Sequence, residues 1–167
     1  MEKNIVLIGM PGAGKSTVGV VLAKRLGLDF VDSDLVIQQQ EGKLLHQLIT
    51  EQGLDGFLET ENRINAALTP KLPSVIATGG SVIYGREAME HFSQIAAVIY
   101  LKLTLSTLKT RLGDLNERGV ALKEGQTLES LYEERIPLYQ HYAEITINCE
   151  GKEIREIVEE IASELLR

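Results

Sequence analysis

The 167 residues include one cysteine, Cys149, no tryptophan, and four prolines. A single thiol closes no internal disulfide, so the fold has to rest on its apolar core, and such sparing use of cysteine suits a reducing compartment. No apolar run approaches the ~20 residues that a membrane-spanning helix requires. Charged Glu2 and Lys3 lead directly into the first apolar segment, which is not the pattern of a secretory leader. We therefore expect a cytoplasmic protein without a membrane partner. Positive charge is also scarce: 17 Lys and Arg stand against 24 Asp and Glu, a net charge of −7. Nucleic acid, whose phosphates demand basic patches, is not the expected partner. Any anion must be held by a local positive island. His46, His91 and His141 show no metal-ligand spacing, and neither they nor Cys149 is assigned any chemistry; His91 and His141 are expected at the surface.

That island has an obvious seat. Residues 9–17 read GMPGAGKST and fit G-x-x-x-x-G-K-[ST], with Gly9, Gly14, Lys15 and Ser16 in the fixed places. The motif carries weight only between a strand and a helix. Asn4 to Ile8 is a short apolar run suited to a buried parallel strand, and Val18 to Leu26 reads as a helix. Glycines let the loop turn where a Cβ would block it. Its amide N–H groups then converge on one concavity, reinforced by the positive end of the following helix. Lys15 reaches the outer phosphates of a nucleotide, and the Ser16 hydroxyl is a magnesium ligand.

With 44% hydrophobic residues, the chain suits a single domain with one core of good size. Strands are expected at 4–8, around Phe30 and Val31, at 74–77, 96–101 and 144–148. Helices are expected to alternate with them. Residues 35–68 are helical with breaks at Gly42 and Gly53, and further helices cover 86–93, 104–112, 127–142 and 152–166. Pro137 should bend or split the helix over 127–142. Strands alternating with helices give an α/β fold with a parallel sheet. Residues 113–126 hold three glycines, many charges and little periodicity, and read as a lid.

Asp32 and Asp34 end the second strand, at the edge of a parallel sheet where ligands bind. One carboxylate can hold magnesium, directly or through water, while the other takes a proton from an attacking hydroxyl. Capping of the next helix is the competing role for Asp34. Gly79 and Gly80 end the third strand on the same rim, where a ligand can approach bare backbone. Arg111, Arg118 and Arg135, before, within and after the lid, are the cations available to neutralise a phosphoryl group in transfer.

Taken together, GMPGAGKST, Asp32-Ser33-Asp34, Phe57 with Glu61, Thr78-Gly79-Gly80, Arg118 and the R-x-P-L-Y run at 135–139 resemble the shikimate kinases along almost the whole chain. The resemblance implies a three-layer α/β/α P-loop kinase fold with a five-stranded parallel sheet of order 2-3-1-4-5. It also implies an acceptor subdomain over about 33–61, a lid over about 112–126, and a monomer. It implies ATP, Mg2+ and phosphorylation of the 3-hydroxyl of shikimate on the route to chorismate. Gly12, Ala13, Gly14, Lys15, Ser16 and Thr17 would bind the nucleotide, flanked by Arg111. Ser16 and Asp32 would hold the metal, and Asp34 would act as the base. Gly79, Gly80 and Arg135 would hold the acceptor, and Arg118 would touch the transferring phosphate.

Three positions depart from the family pattern. Leu58 stands where an arginine usually forms half of a carboxylate clamp, Ser81 replaces a third glycine, and Gly119, Val120 and Ala121 follow Arg118. Losing one charge-assisted hydrogen bond costs about 10- to 150-fold in binding, and Glu61 would lose its cationic partner. Arg63, one turn on, is then a candidate second arm. The departures leave room for another polyol or sugar acid, such as gluconate, as acceptor. A nucleotide-binding regulatory protein is the third reading, opposed by the intact Asp34 and Arg118.

Overall fold

A computed structural model describes residues 3–113 and 122–167. Five short strands form one parallel sheet: β1 (Asn4–Ile8), β2 (Asp29–Asp32), β3 (Ser74–Ala77), β4 (Ala96–Lys102) and β5 (Ile145–Asn148). Their order is β2-β3-β1-β4-β5, as the resemblance implied. The three inner strands, β3, β1 and β4, are nearly pure apolar runs because both faces are covered, whereas the edge strands β2 and β5 include polar residues. Ile5, Val6, Leu7 and Ile8 are all fully buried, as are Val75, Ile76 and Ile99. The covering helices are α1 (Lys15–Leu26), α2 (Ser33–Glu41), α3 (Leu45–Ala66), α4 (Arg86–Ile95), α5 (Leu105–Leu112), α6 (Leu128–Tyr142) and α7 (Ile154–Leu165). Helix α1 packs on α7, and α3 packs on α4.

The helix breaks fall where glycine was expected to put them. Gly42 caps α2 with φ +67°, and Gly53 (φ +74°) interrupts the long helix α3. Pro137, expected to bend or split its helix, leaves α6 as one continuous element. A second, smaller apolar cluster of Ile37, Leu48, Phe57 and Ile64 joins α2 to α3 apart from the main core. It gives the α2–α3 segment a small core of its own. No helix among the described residues is long and apolar enough to cross a membrane.

The register positions the site. Asp32 pairs with Ala77, and Ala77 pairs with Leu7, so β2, β3 and β1 end level with one another. The loops leaving these three neighbouring strands therefore rise side by side at their carboxyl ends, which is where an open parallel sheet binds ligands. The Thr78 hydroxyl donates to the Leu7 carbonyl at 2.8 Å, fixing the β3 loop to the β1 loop.

Candidate active site

A cleft of about 300 Å³ opens over these three loops. Its floor is the phosphate loop; its walls are Asp34, Leu45, Phe57, Glu61, Gly79 to Ser81, and Arg135. Gly14, the N-cap of α1, has φ +90°, a conformation that a side chain would strain. Lys15 is 8% exposed and donates from Nζ to the carbonyls of Gly9 (2.6 Å) and Met10 (2.8 Å). Burial pulls its ammonium down to about 8, against the attraction of Asp34, while Arg135 adds to the fall. The side chain is thus folded back over its own loop, its charge coupled to the cleft carboxylates at a distance.

Asp32 and Asp34 have separate roles. Asp32 is the helix cap: its Oδ1 accepts from the backbone N–H of Asp34 (3.0 Å) and Leu35 (3.3 Å). The capping role weighed for Asp34 is therefore filled by its neighbour, which starts α2 two residues earlier than periodicity suggested. The other oxygen of Asp32 accepts from the Ser16 hydroxyl at 3.3 Å. One hydroxyl and the carboxylate oxygen that does not cap the helix suit Mg2+, which keeps most of its waters and takes few protein ligands. The fit relies on this pair alone, since no cluster of three or more His, Cys, Asp or Glu able to hold a metal occurs among the described residues.

Asp34 and Glu61 meet at Gly79. A Cβ on that glycine would lie 2.7 and 3.3 Å from the Asp34 oxygens and 3.2 Å from Glu61 Oε2. A side chain at this position would push the two carboxylates aside. Burial, then the neighbouring Asp32, raises Asp34 to about 6, with Lys15 opposing. Burial raises Glu61 to about 7. The Ser81 hydroxyl, which donates to Glu61 Oε1 at 2.7 Å, holds it down, as do Arg135 and Lys15, while Asp34 raises it. Both groups hold protons more tightly folded than unfolded. The unfolded chain then binds fewer protons between about pH 4 and 7, so stability falls as pH rises through that window. Glu61→Gln removes one of the two contributions. Its loss of unfolding free energy between pH 5 and 8 should be smaller than that of wild type by about 1–3 kcal/mol. Urea midpoints at the two pH values measure it, and identical pH dependence in both proteins would show that Glu61 is not desolvated as described.

Arg135 is 1% exposed. It belongs to a buried stripe of α6 at positions 131, 135 and 139, and a charge in such a stripe needs partners. Its guanidinium lies over the Tyr84 ring at 5.3 Å, and Nε donates to the Tyr84 hydroxyl at 3.4 Å. A Cβ on Gly80 would come within 2.9 Å of Arg135 Nη1. Tyr139, one turn on, donates to the Gly80 carbonyl at 2.6 Å. Tyr84 and Tyr139 were not anticipated as site residues, although Arg135 and Tyr139 at i, i+4 share a helix face and were legible as a pair.

Arg111 reaches the phosphate loop, donating from Nη1 to the Gly12 carbonyl at 3.2 Å. Arg118 lies outside the described residues, as does most of the lid. Just beyond, Lys123 and Gln126 both bond to Glu134 of α6.

Two expectations need correction. Arg63 is not a second clamp arm: it pairs with Glu41 at 2.8 Å, its side chain 66% exposed, and it does not line the cleft. Glu61 is not left without a partner, since Ser81 has replaced the missing cation. Leu58 packs against the small α2–α3 cluster and stays out of the cleft wall. His91, expected at the surface, is half-buried, its Nε2 2.8 Å from the Leu68 carbonyl. Cys149 is buried and its thiol is pushed up to about 11 by that burial, so it stays protonated at neutral pH.

Comparison with known proteins agrees with this geometry. A family model described as shikimate kinase matches residues 11–166. The chain is 35% identical to a shikimate kinase of Thermodesulfovibrio yellowstonii over 99% of its own length and 96% of the relative's. It is 36% identical to one from Actinobacillus succinogenes, covering 96% and 93%. Among solved structures, shikimate kinase from Acinetobacter baumannii in complex with shikimate superposes with a TM-score of 0.89 at 31% identity, covering 98% of this chain and 93% of that one.

Proposed function

Because the chain belongs to the shikimate kinase family, we propose that it transfers the terminal phosphoryl group of ATP to the 3-hydroxyl of shikimate, on the route to aromatic amino acids. The observation that carries this reading is the single cleft in which the phosphate loop, the Asp34 carboxylate and the buried Arg135 face one another. The loop amides from Gly12 to Thr17 and the Lys15 ammonium bind the nucleotide phosphates, with Arg111 alongside. Ser16 and Asp32 would hold Mg2+, which when bound offsets phosphate charge. Gly79 and Gly80 offer backbone to the acceptor, and Arg135 takes its carboxylate. Asp34 accepts the proton as the acceptor oxygen attacks phosphorus. Arg118 is assigned to the transferring phosphoryl group by its place in the sequence. Since every one of these groups comes from one chain, a monomer is the proposed working unit.

Arg135→Ala tests the acceptor half. Among the described residues lining the cleft, only Lys15 and Arg135 are cations, and Lys15 belongs to the phosphates. Removing a charge-assisted pair should raise KM for shikimate about 10- to 150-fold, with KM for ATP within a few fold. An unchanged KM for shikimate would move its carboxylate elsewhere. The same lone acceptor-side cation favours, as a second reading, a hydroxylated acid that leans on hydroxyl contacts more than on its carboxylate. Turnover of a panel of polyhydroxy acids separates the two.

A further inference from the structure

Glu61 occupies the acceptor wall of the cleft, 2% exposed, and its role is not covered by the reaction as described. It comes from α3, whereas Ser81 comes from the loop after β3. Their hydrogen bond therefore ties the acceptor segment to the sheet rim. Ser81 is itself 6% exposed and belongs to the cleft lining. The bond occupies one oxygen of the carboxylate, Oε1. The other, Oε2, is turned toward Gly79, beside the oxygens of Asp34.

Above about pH 7, where it is ionised, a carboxylate held in this way accepts hydrogen bonds and repels anions. It can take a hydroxyl of the acceptor but not its carboxylate. Arg135, near Gly80, is where the anionic end belongs. The wall thus reads a molecule with its charge at Arg135, one hydroxyl at Asp34, and a second hydroxyl within reach of Glu61. A cationic partner for Glu61 would itself be available to an acceptor's carboxylate, whereas the serine hydroxyl offers a single neutral donor and spends it on Oε1. We propose that Ser81 is a positioning residue that orients Glu61 to bind a second hydroxyl of the acceptor, and that this pair sets acceptor choice. This rests on the kinase reading above and names the chemistry that selects the substrate, a vicinal or near-vicinal diol acid.

The ionisation of Glu61 supports the geometry. Its neighbours are Ser81 from the β3 loop, Arg135 from α6, Lys15 from α1 and Asp34 from α2. The Ser81 donor favours the charged form. Without it, Glu61 should protonate at higher pH, and the acid-side rise in acceptor KM should shift upward.

The test is a double-mutant cycle of Ser81→Ala and Glu61→Gln. It is run on whichever of shikimate, gluconate and quinate wild type phosphorylates fastest. Alanine tolerates the φ −89°, ψ 0° backbone at this position, and glutamine keeps the shape of the carboxylate. Each single change should raise acceptor KM about tenfold or more, with a smaller fall in kcat and no change in KM for ATP. The double mutant should be little worse than either single mutant, because the two residues act as one unit. The pH dependence of KM should move upward in Ser81→Ala and be indifferent to the serine in the Glu61→Gln background. Multiplying effects, or singles within twofold of wild type, would overturn the inference and leave the kinase reading standing. If an acid other than shikimate is best and the cycle still couples, the shikimate assignment falls and this inference holds. Turnover of none of the acids overturns both.

Discussion

Replacing Asp34 by asparagine will lower kcat by about 10²–10⁴-fold and leave ATP affinity within a few fold of wild type. Asp34 stands at the carboxyl end of β2, its side chain packed against the bare backbone of Gly79 and electrostatically coupled to Lys15. Asparagine keeps the shape and removes the proton acceptor. Glu61 is the one rival on the same wall, but its Oε1 is committed to Ser81, and Lys15 is pulled upward first by Asp34 and only last by Glu61. Of the two wall carboxylates, Asp34 is therefore the one coupled more strongly to Lys15. Single-turnover measurement of phosphoryl transfer isolates the chemical step. If kcat survives within a few fold while acceptor binding collapses, Asp34 positions the hydroxyl and takes no proton.

Lys15→Ala will cost about 10²–10³-fold or more in kcat/KM for ATP, the range expected when a preorganised charge on a transferring phosphoryl group is removed. The fold will persist, because the ammonium contributes no packing to the core: it bonds to two loop carbonyls and is itself disfavoured by burial. A second consequence separates charge from shape. Lys15 lowers the pKa of Asp34, so its removal leaves that carboxylate easier to protonate. Thermal melts of the mutant should remain cooperative while ATP turnover is lost. A folded Lys15→Ala protein with undiminished turnover would remove the phosphate loop from the mechanism.

How far the sequence discloses this protein depends on which residues are asked. Strand, glycine loop and helix were legible because each follows a local rule: an apolar run, a left-handed turn, a 3.6-residue repeat. The same holds for the breaks at Gly42 and Gly53. The sheet order came from resemblance, since nothing local says that β3 lies between β1 and β2. Asp34 was ambiguous between cap and base because capping depends on a helix start that moved by two residues, giving the cap to Asp32. Arg63 was misjudged for a related reason: helical spacing places it about one turn beyond Leu58 but cannot show that Glu41, 22 residues earlier, takes its guanidinium at the surface. The Ser81–Glu61 pair was invisible for the opposite reason. Two departures, Leu58 and Ser81, read as separate losses in the sequence, and only the fold brings the serine hydroxyl to the carboxylate that the missing arginine would have met. Tyr84 and Tyr139 hold Arg135 and Gly80 through contacts spanning 51 and 59 residues, beyond any periodic signal.

The central claim is that one cleft joins an ATP site to an acceptor site for shikimate. The most direct measurement is steady-state formation of ADP and of phosphorylated acceptor by the purified protein with Mg2+ and ATP, with and without shikimate. The account predicts little ATP hydrolysis alone, and shikimate-dependent ADP release matched one-for-one by shikimate 3-phosphate, lost in Asp34→Asn. ATP hydrolysis indifferent to shikimate, with no phosphorylated acceptor formed, would contradict it.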